Sequence, residues 1–426
     1  MMLSIKIYSL VAALIICSAI KTFAQHTHTV KPGSVISLDS VLRHMSANNP
    51  MLQQYDYKAR AMDAYAEGAK SWMAPMVGGG VFMMPYPRQK VMEERDKGAF
   101  MISAEQDIPN PAKQRARQKY MRSRAAIETS GRDFTFNQLR ADARSAYYQW
   151  VVLEKKQAVL QENERIMQFM LKLAKVRYPY NQASLGSIYK AEARLHEVNN
   201  MQLMNQKDIE QKNIQLNILM HLPVNTNFKI DTTIAITEQA IPEISEAYIN
   251  SSRSDIRQLD QTIASMRLNL EMENLERKPD FKIRFDHMYP RDNMMPQQVT
   301  AMGMISIPIA PWSSRMYKAN AKAMELEIAG MELEREHMLN ETQSMVRSMA
   351  VEVNTMRQQV ENYKTKIIPA LRKNYGATML AYEQNTAELP LVIDAWEALN
   401  MAQMEYLNNL EQFYLMVVSY EKELER

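Results

Sequence analysis

The chemically distinctive side chains of this sequence are thioethers: 35 of its 426 residues are methionine. Thioether sulfur is a soft ligand that suits Cu(I) and similar ions. If residues 98–108, 280–289 and 299–309 are strands, Met101, Met288, Met302 and Met304 fall on one side of them, with Met294 and Met295 in the last turn. Methionine is also a flexible filler of helix seams, and Met167, Met170, Met345 and Met349 have ordinary core spacing. A metal-export route and a compositional habit both stand as readings. His26 and His28 are a further candidate pair, in what reads as a loose tail. Enzyme chemistry finds no foothold. There is no nucleophile–base pairing, no glycine-rich phosphate loop and no tight metal-ligand spacing, and the seven histidines are scattered. No cofactor is expected.

Residues 1–24 read as a secretory signal peptide, with Lys6, an apolar stretch from Leu10 to Ile20 and Thr22-Phe23-Ala24 as the cleavage site. The only cysteine, Cys17, lies inside it, so the mature chain carries no thiol. A lipid anchor on Cys17 would follow the bulky Ile16, a poor fit. Removing Lys6 and Lys21 brings the formal charge from +3 closer to neutral, which gives no reason to expect nucleic acid. After the signal no apolar run reaches the roughly 18 residues of a spanning helix, so entry into a membrane would be as strands.

These side chains must be positioned by two halves that repeat one another at an offset of about 200 residues. The first has a strand ending at Ile108-Pro109-Asn110-Pro111 and then no proline from Ala112 to Tyr178; the second ends at Ile307-Pro308-Ile309-Ala310-Pro311 and has none from Trp312 to Ile368. The expected organisation is a first repeat over 25–221, a connector over 222–250 and a second repeat over 251–426. Strands are expected at about 72–86, 98–108, 280–289 and 299–309. A helix is expected to end near Ala69, and long helices to run from Ala112 to a turn near Tyr178 and from Ser313 to about Asn374. A second turn is expected around Gly376 to Pro390, and each turn feeds a return helix. At an offset of 204, Tyr178 falls on Tyr382, Leu185 on Leu389 and Ala191 on Ala395. About 60 helical residues span ~90 Å, more than a compact domain uses.

In the third strand Phe281, Ile283, Phe285, His287 and Tyr289 alternate with Lys282, Arg284, Asp286 and Met288. One apolar and one charged face over about ten residues is the pattern of an outer-membrane barrel strand; a soluble sheet with one wet face gives the same alternation. Trp72 and Trp312 at the helix ends of the two hairpins, and Tyr86 and Tyr289 near the opposite turns, are candidate membrane-interface aromatics. Four strands cannot close, whereas three chains would make a twelve-stranded barrel. The basic run Lys113, Arg115, Arg117, Lys119, Arg122 and Arg124 either meets anionic headgroups or is a solvated helix face.

Four motifs carry a resemblance: Gln106-Asp-Ile-Pro109-x-Pro111, its partner Ile305-Ser-Ile-Pro308-Ile-Ala-Pro311, Arg277-Lys-Pro279-Asp280, and Ala381-Tyr382-x(4)-Ala387-x(6)-Asp394-Ala395. In their order and spacing the chain resembles the TolC family of trimeric outer-membrane efflux channels along essentially its whole mature length. The resemblance implies a mainly α fold with a small β part. Long coiled-coil-like helices would form a periplasmic tunnel, and four antiparallel strands per chain would build the trimeric barrel. It implies a homotrimer in outer-membrane lipid that works with a periplasmic adaptor (a membrane fusion protein) and an inner-membrane pump. The expected function is a passive exit duct, with the heavy-metal branch and Cu(I) as one cargo reading. A soluble periplasmic coiled-coil scaffold or adaptor is the rival.

The resemblance also implies a gate. Tyr382 matches a tyrosine that holds neighbouring helices shut, and Asp394 matches an aspartate that rings the pore; such a ring favours cations. Where the family has a further aspartate and a basic partner this chain has Leu391 and Ala387, and Lys190 stands in the first half where Asp394 stands in the second. The alternatives are a solvated surface acid for Asp394 and simple helix packing for Tyr382.

Overall fold

The computed structural model describes residues 33–233 and 246–425, apart from 88, 92, 94–96 and 292–294. The expected signal peptide with Cys17, the His26/His28 pair, Met294 and part of the connector lie outside the described residues. A short strand β1 (Val35–Ile36) leads into helices α1 (Leu38–Asn48) and α2 (Pro50–Gly68). Strands β2 (Met76–Phe82) and β3 (Ala99–Ile108) follow, then the long helix α3 (Pro111–Arg177) and its return partner α4 (Leu185–Leu219). After β4 (Lys229–Ile230), the second half runs through α5 (Glu246–Ser252), α6 (Ser254–Asn274), β5 (Asp280–Pro290) and β6 (Gln298–Ser306). It closes with α7 (Pro311–Asn362), a π turn at Tyr363–Ile367, α8 (Ile368–Glu383) and α9 (Leu389–Glu423). The 67 residues of α3 make a rod of ~100 Å.

Proline sets where strand becomes helix. Pro111 and Pro311 occupy the first helical turn, where a missing N–H costs nothing. Asn110 caps α3 by accepting from the Ala112 N–H at 3.0 Å, and its Nδ2 donates to the Pro279 carbonyl at 2.9 Å, which fastens the entry of β5 to the start of α3. The first strand is shorter than expected because Pro75 and Pro85 bound it and Met83 turns left-handed, with φ 49°. The fourth stops at Ser306, two residues before Pro308.

The second long helix corrects the sequence reading more substantially. It does not end near Asn374; Gly376 lies inside α8, because Met379 and Tyr382 beyond it are buried and outweigh the ~1 kcal/mol a helical glycine costs. Pro369 sits in the first turn of α8 directly after the π turn. The wider turn accommodates a ring that would otherwise collide with the carbonyl of Thr365.

The four strands form one antiparallel sheet in the order β2-β3-β5-β6, so the two hairpins meet at the β3–β5 seam. Its register puts Met101 opposite Met288, Glu105 opposite Arg284 and Asp107 opposite Lys282. Phe281, Ile283, Phe285 and Tyr289 are exposed on the other face. No helix among the described residues is long and apolar enough to cross a membrane.

The main core sits midway along the rods, where α3 and α9 pack through Tyr148, Val151, Phe413, Tyr414 and Val418. The small parallel pair β1–β4 closes over it, tied down by Tyr147. The buried Tyr147 hydroxyl lies 3.0 Å from both the Ile36 and the Asp231 carbonyls and accepts from the Asp231 N–H at 3.1 Å. A second buried polar link joins the halves: Trp396 Nε1 donates to Asn163 Oδ1 at 2.9 Å, and Asn163 Nδ2 to Asn400 Oδ1 at 2.8 Å. Burial pushes the Tyr147 phenol up to about 12 from 10.0. Its folded-state value is the higher one, so its contribution to stability is complete below the unfolded value and falls away as the pH rises through that window. Tyr147→Phe removes the hydroxyl that links the Ile36 and Asp231 carbonyls, leaves the Asp231 N–H only its 3.2 Å bond to the Ile36 carbonyl, and is expected to cost about 1–3 kcal/mol. Thermal unfolding of the two proteins at neutral pH and again near pH 11 checks both statements, since the gap should narrow at the higher pH.

Candidate functional site

The helix tips are built twice with the same backbone. In the first turn the Asn181 N–H donates to the Tyr178 carbonyl (3.1 Å) and the Gln182 N–H to that of Arg177 (3.2 Å). In the second, Asn385 donates to Tyr382 (3.0 Å) and Thr386 to Ala381 (2.8 Å), all 204 residues on. Asn181 and Asn385 are left-handed at φ 58° and 61°, a conformation asparagine tolerates well. Between the two turns lies a cleft of 690 Å³, bordered by Arg177, Ser184, Ser187, Thr386 and Leu391.

Three links cross from the first half to the second here. The Arg177 guanidinium stacks 4.4 Å over the Tyr382 ring and donates to the carbonyls of Tyr382 (2.7 Å) and Glu383 (3.0 Å). Lys190 Nζ lies 2.7 Å from Asp394 Oδ1. Arg194 Nε lies 2.6 Å from Glu397, and its Nη1 2.6 Å from Glu197. Hydrogen bonds donated to the Glu197 and Glu397 carboxylates hold the pKa of the Arg194 guanidinium above its ordinary value. The Lys190 and Asp394 side chains are largely exposed, so the pair contributes little stability, but it cancels the charge of Asp394.

Tyr382 is 1% exposed and packs among Met167, Met170, Ile188, Val392 and Trp396. Its hydroxyl has no partner among the described residues, and burial raises its pKa while the neighbouring Arg177 opposes that shift. Tyr382 therefore holds the tip through packing, the ring face and its carbonyl. Sequence reasoning passed over Arg177, Arg194 and Glu397. Position 381, the counterpart of Arg177, holds alanine, and that asymmetry was the one available signal.

The sheet gathers the four methionines on one face but not in one place. Met101 faces Met288, whereas Met302 faces Arg284 and Met304 faces Lys282. Four and six residues of strand, ~13 and ~20 Å, separate Met302 and Met304 from the level of the Met101/Met288 pair. What this face does bring together is charge. Lys282 Nζ lies 2.5 Å from Glu105 and 3.3 Å from Asp107, and Arg284 Nε lies 2.9 Å from the buried Asp286. Among the described residues no group of three or more His, Cys, Asp or Glu side chains is arranged to hold a metal. Trp72, Tyr86, Tyr289 and Trp312 are all exposed, Trp312 most of all at 85%.

No family model and no curated protein matches the chain. Solved structures do. The outer-membrane channel OprN superimposes with a TM-score of 0.74 at 13% identity, over 91% of this chain and 89% of that one. CusC, a protein described by its transmembrane channel formation, gives 0.72 at 12%, over 93% and 95%. The Campylobacter jejuni outer membrane channel CmeC gives 0.72 at 14%, over 91% and 85%. The chain has the TolC-like outer-membrane channel fold. The likeness covers more than nine-tenths of the chain, and these neighbours are channel proteins rather than enzymes.

Arg177→Ala removes two charge-assisted hydrogen bonds and the ring contact that hold the second turn to α3. Amide exchange across residues 381–389 is expected to speed up by tenfold or more, with the core around Tyr147 unchanged. Hydrogen-exchange mass spectrometry reads both regions in one experiment.

Proposed function

We propose that this protein is the outer-membrane exit channel of a tripartite efflux system, a passive duct for substrates delivered by an inner-membrane pump through a periplasmic adaptor. The observation that carries the reading is a sheet with an exposed apolar face and two unpaired edges, β2 and β6, mounted on rods of ~100 Å. In lipid each unpaired backbone group costs several kcal/mol, so the edges must find strands. Three copies of a four-stranded sheet close a twelve-stranded barrel with charged residues inside and apolar ones toward lipid. The rods then reach into the periplasm of a bacterial envelope, and the tips with Lys190, Asp394 and Tyr382 form the aperture.

The pairing of Lys190 with Asp394 makes that aperture nearly neutral. It lacks the net acidic field that three free carboxylates would give. Support for a Cu(I) cargo is confined to the Met101/Met288 pair, because Arg284 and Lys282 face the other two methionines and oppose a cation there. The proposal therefore leaves cargo to the pump.

Bilayer conductance tests the reading. Wild type is expected to form channels of weak ion preference, Lys190→Ala to move the reversal potential toward cations and Asp394→Ala to move it toward anions. Equal reversal potentials in all three would remove the pair from the pore. A chain that stays monodisperse without detergent and never forms channels would favour the soluble scaffold instead.

A further inference from the structure

Both long helices begin with charges of the wrong sign. From Pro111 to Ile127, α3 carries Lys113, Arg115, Arg117, Lys119, Arg122 and Arg124 and no acid; from Pro311 to Met324, α7 carries Arg315, Lys318 and Lys322 and no acid. The positive end of a helix dipole disfavours a cation in the first turn, where Lys113 stands, and beyond it no acid offsets the mutual repulsion of the basic run, so the local sequence conflicts with the element it forms. Lys113 is accounted for, since it lies 2.9 Å from Glu276 and 2.7 Å from Asp280. Lys322 has Glu325 at 3.1 Å. Arg115, Arg117, Lys119, Arg122, Arg124, Arg315 and Lys318 are without a charged or hydrogen-bonded partner among the described residues.

Helix geometry sorts these cations. Lys113 points to Asp280, which shares the charged face of β5 with Lys282 and Arg284. Arg115 is about 200° round the helix from Lys113, and Lys119 and Arg122 lie within about 40° of Arg115. These three are therefore on the side of the apolar sheet face that carries Phe281, Ile283 and Phe285. Arg117 and Arg124 lie with Lys113 on the other side. The second half repeats the device: Arg315 and Lys322 stand 200 residues after Arg115 and Arg122, and the exposed Trp312 stands one turn above Arg315.

We propose that Arg115, Lys119, Arg122 and Arg315, with their copies, form a collar that binds anionic phospholipid headgroups of the periplasmic leaflet. The inference rests on the reading of the sheet as a barrel in the outer membrane. Distances agree with it. Along the helix axis Arg115, Lys119 and Arg122 lie ~6, ~12 and ~16 Å beyond Pro111. The headgroup layer is about 5–7 Å deep on each side, and charge is felt about 8 Å further at physiological salt. Side chains on a helix lean toward its N-terminus, here toward the sheet, which brings the longer reaches into range. Trp72 and Trp312, both exposed at the same end of the hairpins, mark the level at which an apolar ring meets polar headgroups.

The same two tryptophans provide the test, because Trp150 and Trp396, the other two in the chain, are buried away from any lipid. Purified protein is reconstituted in phosphatidylcholine vesicles doped with brominated phosphatidylcholine or brominated phosphatidylglycerol, and tryptophan quenching is compared. Wild type is expected to favour the anionic lipid roughly fivefold or more, about what a single cation contributes near such a surface. The preference should fall to near one in Arg115→Gln/Lys119→Gln/Arg122→Gln/Arg315→Gln and at 1 M salt, and persist in Arg117→Gln/Arg124→Gln. Equal quenching by the two lipids in wild type overturns the collar while leaving the barrel intact. Loss of preference in the Arg117/Arg124 variant overturns the assignment of the outward face. Quenching by neither lipid, with no channels formed, overturns the membrane reading itself.

Discussion

A backbone that enters hydrocarbon must have every N–H and C=O paired, and this chain supplies only half the pairs its sheet needs at each edge. Much else about the molecule can be traced to that constraint. In the proposed barrel the alternation of the strands would set one face toward an apolar medium and the other toward a charged interior. At the seam between the hairpins Asp107 lies opposite Lys282 and Glu105 opposite Arg284, so the polar face is neutralised pairwise where the two halves must recognise each other. A slip of one residue in that register would turn the phenylalanines inward and the ion pairs outward.

The rods inherit their starting point from the sheet. Proline at the first helical position ends each hairpin and begins each long helix, and Asn110 ties the first of these junctions to the entry of β5. From the junction to the tip the spacing of equivalent residues grows from 200 to 204: Pro111 matches Pro311, whereas Tyr178 matches Tyr382. Four extra residues are about one turn, the size of insertion that locally unwinds a coiled coil. The second rod takes them up in a stretch that contains the π turn at Tyr363–Ile367. The two tips meet although their rods differ in length, as the contacts of Arg177 with Tyr382 and of Lys190 with Asp394 show.

Much of this was legible in the sequence, for reasons that differ by element. β5 was readable because its alternation is unbroken, and the start of α3 because proline and asparagine mark it. Gly376 misled because a glycine near a turn reads as its boundary, while the packing of Met379 and Tyr382 that carries the helix past it is long-range. The link through Arg177 was invisible for a related reason. Its acceptors are main-chain carbonyls at Tyr382 and Glu383, and any residue type offers a carbonyl. The alternation put the four methionines on one shared face, as the register does, but their separation depends on the pairing between strands, which no single strand encodes.

Duplication explains why the tip is shaped as it is, and divergence explains how it is held. The two turns share two backbone hydrogen bonds and a left-handed asparagine, yet their side chains have become complementary. The first half supplies the cations Arg177, Lys190 and Arg194, and the second supplies the carbonyls of Tyr382 and Glu383 and the carboxylates of Asp394 and Glu397. Lys190 and Asp394 even occupy equivalent positions with opposite charge. Exposed ion pairs contribute at most about 1 kcal/mol each, so no single link locks the helices. Several weak links around one buried tyrosine hold a defined arrangement that modest binding energy at the tip can undo. In the proposed channel, a fastening of this strength would suit an aperture that closes at rest and opens when a partner binds the tip.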